Sequence, residues 1–250
     1  MSKCAWVTGA GKGIGRATAL RLAEIGWRVA ISARTESDLL ALNRTLPGCE
    51  FGVYPLDVRD EVATIQTVQK IEKEFGKIDL AIFNAGTYKP ISIHNFSSEV
   101  FRDLVETNVM GTVFGLAAIL PFFLKRKAGH IAIMGSVAGY RGLPTSAAYG
   151  CTKAGLINMA EALKLELEAA GIKLSLINPG FVDTPLTEKN DFKMPFLLSG
   201  PAAADLIVKG LNGNKFEITF PLRFAMIMKV LRICPNWILF RMMRFMGKKQ

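Results

Sequence analysis

The chain has 250 residues, half of them hydrophobic, and a formal net charge of +10. That apolar share is ample for a sheet covered on both faces, and one domain is the default for an α/β chain of this length. Cys4, Cys49, Cys151 and Cys234 have neither metal spacing nor a paired framework, which sets aside a disulfide scaffold and a metal site and points to a reducing, cytoplasmic compartment.

In chain order, Lys3 to Val7 reads as a first strand, beginning too early to leave room for a signal peptide. Thr8-Gly9-Ala10-Gly11-Lys12-Gly13-Ile14-Gly15 follows at once, and a helical pattern then starts with Ala17, Leu20, Leu22, Ala23 and Ile25 as its apolar positions. Strand, glycine turn and helix form the context of a dinucleotide site. Glycines at 9, 13 and 15 let the backbone turn sharply and approach a pyrophosphate, which the N–H groups and dipole of the helix N-terminus favour. Trp27 to Ser32 reads as the second strand and runs into Ala33-Arg34. An acidic residue is expected near this point for a free ribose 2′-hydroxyl, and none is present. Arg34 and Lys12 are instead two cations able to flank a 2′-phosphate, or else solvated surface charges.

Glu36 to Leu46 is helical in pattern, Glu50 to Leu56 reads as the third strand ending at Asp57-Val58, and Glu61 to Phe75 is amphipathic. Ile78 to Phe83 is a near-continuous apolar run suited to a central parallel strand. It delivers Asn84, Ala85 and Gly86 to a strand's C-terminal edge, where open α/β sheets bind ligands and small residues let a cofactor lie close. Ser97 and Ser98 mark a helix start, and Asn108 then falls among Val105, Val109, Val113 and Leu116, where a buried amide needs partners. Pro121, Lys125 and Gly129 bring that helix toward its end.

The run from His130 to Gly135 leads to Ser136, and a long helix begins near Tyr149 and continues through Leu156, Ile157, Ala160, Leu163 and Leu167. Tyr149 and Lys153 share a face of it. An ammonium four residues on stabilises a phenolate and is expected to pull its pKa from about 10 toward working pH. Ser136 is placed to hold a substrate oxygen beside that phenol. The small-residue loop Ala138 to Ala148, with Tyr140 and Leu143, reads as a wall of the substrate site. His94 and His130 are expected to be solvated loop or strand-edge residues, Cys151 a small buried thiol, and no metal site is expected.

The Thr8 to Gly15 turn, Asp57-Val58, Asn84-Ala85-Gly86, Asn108, Ser136, Tyr149 with Lys153, and Pro179-Gly180 followed by Thr184 come in an order and spacing that resembles the short-chain dehydrogenase/reductase family, in its compact single-domain branch. The resemblance spans about three quarters of the chain and shows no departure at these positions. It implies a Rossmann-type, doubly wound, mainly parallel α/β sheet with helices on both faces. It also implies that Lys12 with Arg34 selects NADP(H), that Asp57 accepts from the adenine amino group, and that the Val58 backbone positions the ring. Asn108 would distort its helix and hold a water linking Lys153 to solvent. Lys153 would bind the nicotinamide ribose, Pro179, Gly180 and Val182 would pack on the nicotinamide, and Thr184 would bond its carboxamide or the adjacent phosphate. Homodimers or homotetramers built on the two long helices are implied as well.

Leu186 to Gly200 then reads as a substrate lid whose Phe192, Met194, Pro195, Phe196, Leu197 and Leu198 favour an apolar substrate, unless they pack on the domain core. Phe216 to Phe220 closes a domain of residues 1–220, and residues 221–250 form a basic amphipathic helical extension. Arg223, Lys229, Arg232, Arg241, Arg244, Lys248 and Lys249 give it +7 with no acidic residue. No stretch of it reaches the roughly 18 apolar residues that span a bilayer. At about 100° per residue Arg241, Arg244 and Lys248 fall together and leave a wide apolar face, suited to an anionic membrane surface, the substrate pocket or a second subunit. Large apolar groups between the cations argue against nucleic acid. The expected activity is NADPH-dependent interconversion of an apolar ketone or aldehyde with its alcohol. The rivals are an NAD-dependent alcohol dehydrogenase and a non-enzymatic NADP(H)-binding regulator, for which an intact Asn, Ser, Tyr and Lys set has no use.

Overall fold

The structure is a computed structural model and describes residues 2–189 and 194–247. Short apolar runs give the strands β1 (Cys4–Thr8), β2 (Arg28–Ala33), β3 (Phe51–Pro55), β4 (Ile78–Phe83), β5 (Gly129–Met134), β6 (Ile172–Pro179) and β7 (Glu217–Phe220). Among the described residues they form one sheet in the order β3-β2-β1-β4-β5-β6-β7, parallel at every pairing. The helices are α1 (Gly13–Glu24), α2 (Glu36–Asn43), α3 (Glu61–Lys70), α4 (Ser98–Leu104), α5 (Gly111–Arg126), α6 (Ala147–Ala169), α7 (Gly200–Asn212), α8 (Leu222–Ile233) and α9 (Asn236–Gly247).

Because strand side chains alternate between faces, each strand feeds two cores. Ala5 and Val7 of β1 and Leu80 and Ile82 of β4 join Leu22, Leu39 and Ile207 beneath α1, α2 and α7. Trp6, Ala81 and Phe83 join Val68, Ile119, Phe123 and Leu156 beneath α3, α5 and α6. Trp6 carries its indole N–H to Ser32 Oγ at 3.0 Å, so the largest buried side chain leaves no donor unpaired. Strand order reverses between β1 and β4, and this crevice at the C-terminal strand edge is where such sheets take ligands.

Helix α5 ends at Arg126, within the stretch from Pro121 to Gly129 expected to close it; Pro121 itself stays inside the helix at an exposed position. Two sequence expectations change in the folded chain. His130 is half-buried and not at an edge: it lies on β5 between β4 and β6 with Nε2 2.9 Å from Ser175 Oγ. Burial, helped by the Lys173 charge, lowers its pKa to about 3, so the ring is neutral. Cys151 is exposed rather than buried, because it lies on the outward side of α6 while Thr152 and Lys153 point inward. The four thiols are free.

The helix expected around Asn108 is continuous from Ser98 to Arg126 but widens into a π-turn over Val105–Met110. It is apolar and long enough to cross a membrane by composition, yet Leu116, Ile119 and Phe123 are buried in the core under the sheet.

Candidate active site

The glycine turn is held open by Thr8 and Asn84. Thr8 Oγ1 accepts from the main-chain N–H of Asn84 at 3.0 Å and of Ala85 at 3.1 Å. Asn84 Nδ2 donates to the carbonyls of Thr8 at 3.0 Å and Gly9 at 3.2 Å. The Asn84 amide is thus spent on bracing the turn, and it is Ala85 and Gly86 that leave room beside it. Gly9 and Gly13 have φ of 67° and 56°, which L side chains adopt at a cost. A Cβ on Gly15 would stand 2.3 Å from both Asn84 Nδ2 and the Gly9 carbonyl. Ile14 turns into the core beneath α1, and Lys12 is the N-cap residue without a side-chain capping bond. The first N–H groups of α1 therefore have no side-chain acceptor from the cap, which fits an anion such as a pyrophosphate.

Lys12 Nζ is 3.3 Å from Asp38 Oδ2, and Gly11 lies against the same Asp38. Arg34 is exposed at the end of β2, close enough to Asp57 to lower its pKa. The larger lowering comes from Arg59, whose Nε and Nη2 donate to the Asp57 carboxylate at 3.0 and 2.6 Å. Asp57 is therefore an ion-paired group rather than an open acceptor, though it still lines a cleft of about 560 Å³. Val58 is buried, its side chain packed on Gly111.

Three strand ends and the start of α6 bring the chemistry together. Ser136 follows β5; its Oγ accepts from Ala138 N at 3.1 Å and donates to the Pro179 carbonyl at 3.4 Å. It also hydrogen-bonds Tyr149, which lowers the phenol's pKa. Lys153 is almost fully buried, donates to the Met134 carbonyl at 2.7 Å, and has Nζ 5.7 Å from the centre of the Tyr149 ring. The expected depression of the phenol does not occur. Burial outweighs the Ser136 bond and pushes Tyr149 up to about 12, while burial brings Lys153 down to about 8. The ammonium stands over the ring face and is drawn to a carbonyl of β5, so the phenol stays neutral. Tyr88, an aromatic the sequence reading passed over, meets Tyr149 edge to face at 5.2 Å. Its only signal was its place two residues beyond Asn84-Ala85-Gly86.

Asn108 is fully buried at the π-turn, and its partners are identified. Oδ1 accepts from Thr87 N at 2.7 Å, and Nδ2 donates to the Thr87 carbonyl and to Thr152 Oγ1, both at 3.0 Å. A π-turn is common at functional sites because it re-aims one side chain. Here it aims Asn108 between the β4 edge and α6.

The far wall comes from β6. Gly180 N donates to the Phe220 carbonyl at 2.7 Å, and Val182 is buried and bridges to Leu198. The Thr184 methyl would touch a Cβ on Gly13 at 3.2 Å, so this wall reaches the glycine turn. Of the expected lid, Phe196 and Leu197 are exposed and Leu198 is paired with the strand end, while Phe192 lies outside the described residues. Tyr140 is not a cleft wall. It is buried with its hydroxyl on Glu217, which also receives Lys229 and, at 2.8 Å, Asn178 Nδ2. This cluster ties α8 to β6 and β7.

The sequence model of the short chain dehydrogenase family matches residues 3–194. An uncharacterized oxidoreductase of Myxococcus xanthus is 36% identical over 236 residues, 94% of this chain and 93% of that protein. Another from Staphylococcus epidermidis is 34% identical over 84% of this chain and 91% of its own length. Among solved structures, a short chain dehydrogenase/reductase of Burkholderia phymatum in complex with NAD superposes with a TM-score of 0.84 at 24% identity, covering 91% of this chain and 92% of that one. A variant of actinorhodin polyketide ketoreductase with NADPH gives 0.80 at 26% identity, covering 88% and 95%. The chain belongs to the short-chain dehydrogenase/reductase family and is an NAD(P)-dependent oxidoreductase.

Proposed function

We propose that the protein is an NADPH-dependent carbonyl reductase that interconverts an apolar ketone or aldehyde with its alcohol. The observation that carries this reading is the convergence of Ser136, Tyr149 and Lys153 at the strand edge, on the same side as the uncapped N-terminus of α1. A dinucleotide fits this edge: the pyrophosphate at Gly9 to Gly15, the adenine end by Asp57 and Val58, and the nicotinamide between Ala85, Gly86 and the Pro179 to Thr184 wall. Lys12 and Arg34, with no carboxylate at the end of β2, favour a 2′-phosphate. When bound, NADPH supplies the hydride.

The remaining work belongs to the side chains. Ser136 orients the carbonyl oxygen and stabilises its developing charge. Tyr149, neutral at working pH, gives that oxygen a proton. Lys153 holds the ribose, and its ammonium restrains the charge left on the phenol; Asn108 keeps the proton path in register with α6. Phe196 and Leu197 give the entrance an apolar rim. Assembly of two or four copies uses α5 and α6, which expose Leu124 and Leu165, and α8 with α9 make a peripheral membrane contact at the cytoplasmic face.

The experiment is NADPH and NADH consumption against a panel of apolar ketones and aldehydes. Turnover with NADPH that falls in a Lys12→Ala, Arg34→Ala double variant, with NADH turnover unchanged, supports the reading. Equal use of both cofactors and indifference to the double variant would favour the NAD-dependent alternative, and no turnover with either would sink the enzyme assignment.

A further inference from the structure

We infer that α8 and α9 dock on an anionic bilayer and that α8, whose inner side borders the cleft, brings the cleft mouth to the bilayer, so an apolar carbonyl substrate enters from the lipid. The entry step rests on the reductase reading; the docking does not.

The inward side of α8 is well packed: Ala225 and Met228 are buried, and Phe224 and Leu231 lie against the same core. The outward side is apolar too. Leu222, Met226, Val230 and Ile233 recur about one helical turn apart, with Leu222 68% and Ile233 82% exposed. In α9 Trp237 is 72% exposed and Phe240 about half exposed, while Leu239 is buried. Single exposed apolar residues need no explanation, but a file of them along helices fixed to a rigid body does. The fixing is specific. Arg141, in the loop after Ser136, donates to the Cys234 carbonyl at 3.1 Å and to Asn236 Oδ1 at the turn between the helices, and Lys229 pairs with Glu217.

Charge decides the occupant. The segment after Pro221 carries seven Lys and Arg and no Asp or Glu; Lys229 and Arg232 are paired with Glu217 and Glu161 of the domain, while Arg223, Arg241 and Arg244 are exposed. A second copy presenting this face would bring like charge against like charge. Anionic headgroups neutralise it while acyl chains receive Leu222, Ile233 and Trp237, the pattern of an interfacial helix. Lys248 and Lys249 add to the sequence charge but lie outside the described residues.

Behind that face, the inner side of α8 reaches the cleft: Phe224 stacks on Phe181 at 5.3 Å and lies 6.3 Å from the exposed Phe196, and it sits directly on Gly180 at the strand end. Aromatic surface therefore runs from α8 to the proposed nicotinamide wall.

The full-length protein would be floated with vesicles of phosphatidylcholine containing phosphatidylglycerol and with pure phosphatidylcholine, while tryptophan emission is followed. The expected result is co-flotation with the anionic vesicles alone, with a blue shift that Trp237→Ala removes. Ile233→Asp should abolish binding, and Arg223→Gln with Arg244→Gln should weaken it about fivefold per cation. Turnover of a membrane-partitioned long-chain ketone should rise with anionic vesicles in the wild type and not in Ile233→Asp, whereas a water-soluble ketone should be turned over equally by both. Absent or charge-indifferent flotation, or burial of Trp237 in a concentration-dependent dimer without vesicles, overturns the docking. Flotation without stimulation of the partitioned ketone overturns entry from the lipid. Flotation with no turnover of any ketone would fail the reductase reading and the entry that rests on it, leaving docking supported.

Discussion

Asn108 and Thr152, 44 residues apart, share a hydrogen bond of 3.0 Å from Nδ2 to Oγ1 that joins the π-turn to α6 one residue before Lys153. The same hydroxyl donates to the Tyr149 carbonyl at 2.7 Å, so one threonine couples the proposed relay to the helix bearing the proton donor. Thr152→Val keeps the shape and removes both bonds. It should cost about 1–3 kcal/mol in urea unfolding and lower kcat more than it changes the KM for NADPH, whereas Thr152→Ser should restore both. An unchanged kcat in Thr152→Val would detach Asn108 from the chemistry.

Asn84 braces the glycine turn proposed to hold the pyrophosphate, so its effect on the cofactor should be indirect. Asn84→Ala deletes two bonds that hold the Thr8 and Gly9 carbonyls, each worth about 0.5–1.5 kcal/mol. Dinucleotide binding should weaken of order tenfold for NADPH and NADH alike, read by fluorescence titration. A loss confined to one of them would mean that the amide touches the cofactor directly.

The 3.3 Å pair between Lys12 and Asp38 competes with any 2′-phosphate for the ammonium. Lys12 is largely exposed, so the pair is weak, and Asp38→Asn should tighten NADPH by roughly two- to fivefold with NADH unmoved. If both cofactors respond equally, Lys12 does not read the phosphate.

His130 gives the fold an acid-sensitive point. Its folded pKa of about 3 lies below the ordinary 6.5, so between those values the unfolded chain binds a proton that the native one refuses. Stability is therefore full above pH 6.5 and falls as the pH drops toward 3, by at most about 1.4 kcal/mol per pH unit. His130→Gln, which keeps a partner for Ser175, should flatten the loss of Tm between pH 7 and pH 5. Equal slopes in the two proteins would show the ring to be free to protonate.

What could be read without coordinates was what is local. Ile78 to Phe83 is apolar throughout because a central parallel strand is covered on both faces, and it falls on β4 residue for residue. Ser136, Tyr149 and Lys153 follow from motif spacing; an amide in apolar company at Asn108 says that it needs partners, while the disturbance of its helix follows from the family resemblance. Pairings across the sheet were invisible. His130 looked like an edge residue because its partner Ser175 is 45 residues away on β6, and Tyr140 looked like a pocket wall because Glu217 is 77 residues away. Cys151 was misplaced by its neighbours, since one step along a helix turns a side chain by about 100°. The depressed phenol was wrong for a related reason: four residues of spacing put Lys153 on the Tyr149 face without saying that its ammonium prefers the Met134 carbonyl.

The most direct measurement is the single-turnover rate and NADPH affinity of Tyr149→Phe, with a ketone that the wild type reduces. With the phenol as proton donor, the rate should fall about 10²- to 10⁴-fold while NADPH binds nearly as before. Reduction at the wild-type rate by the phenylalanine variant would contradict the assignment and move the proton to another group.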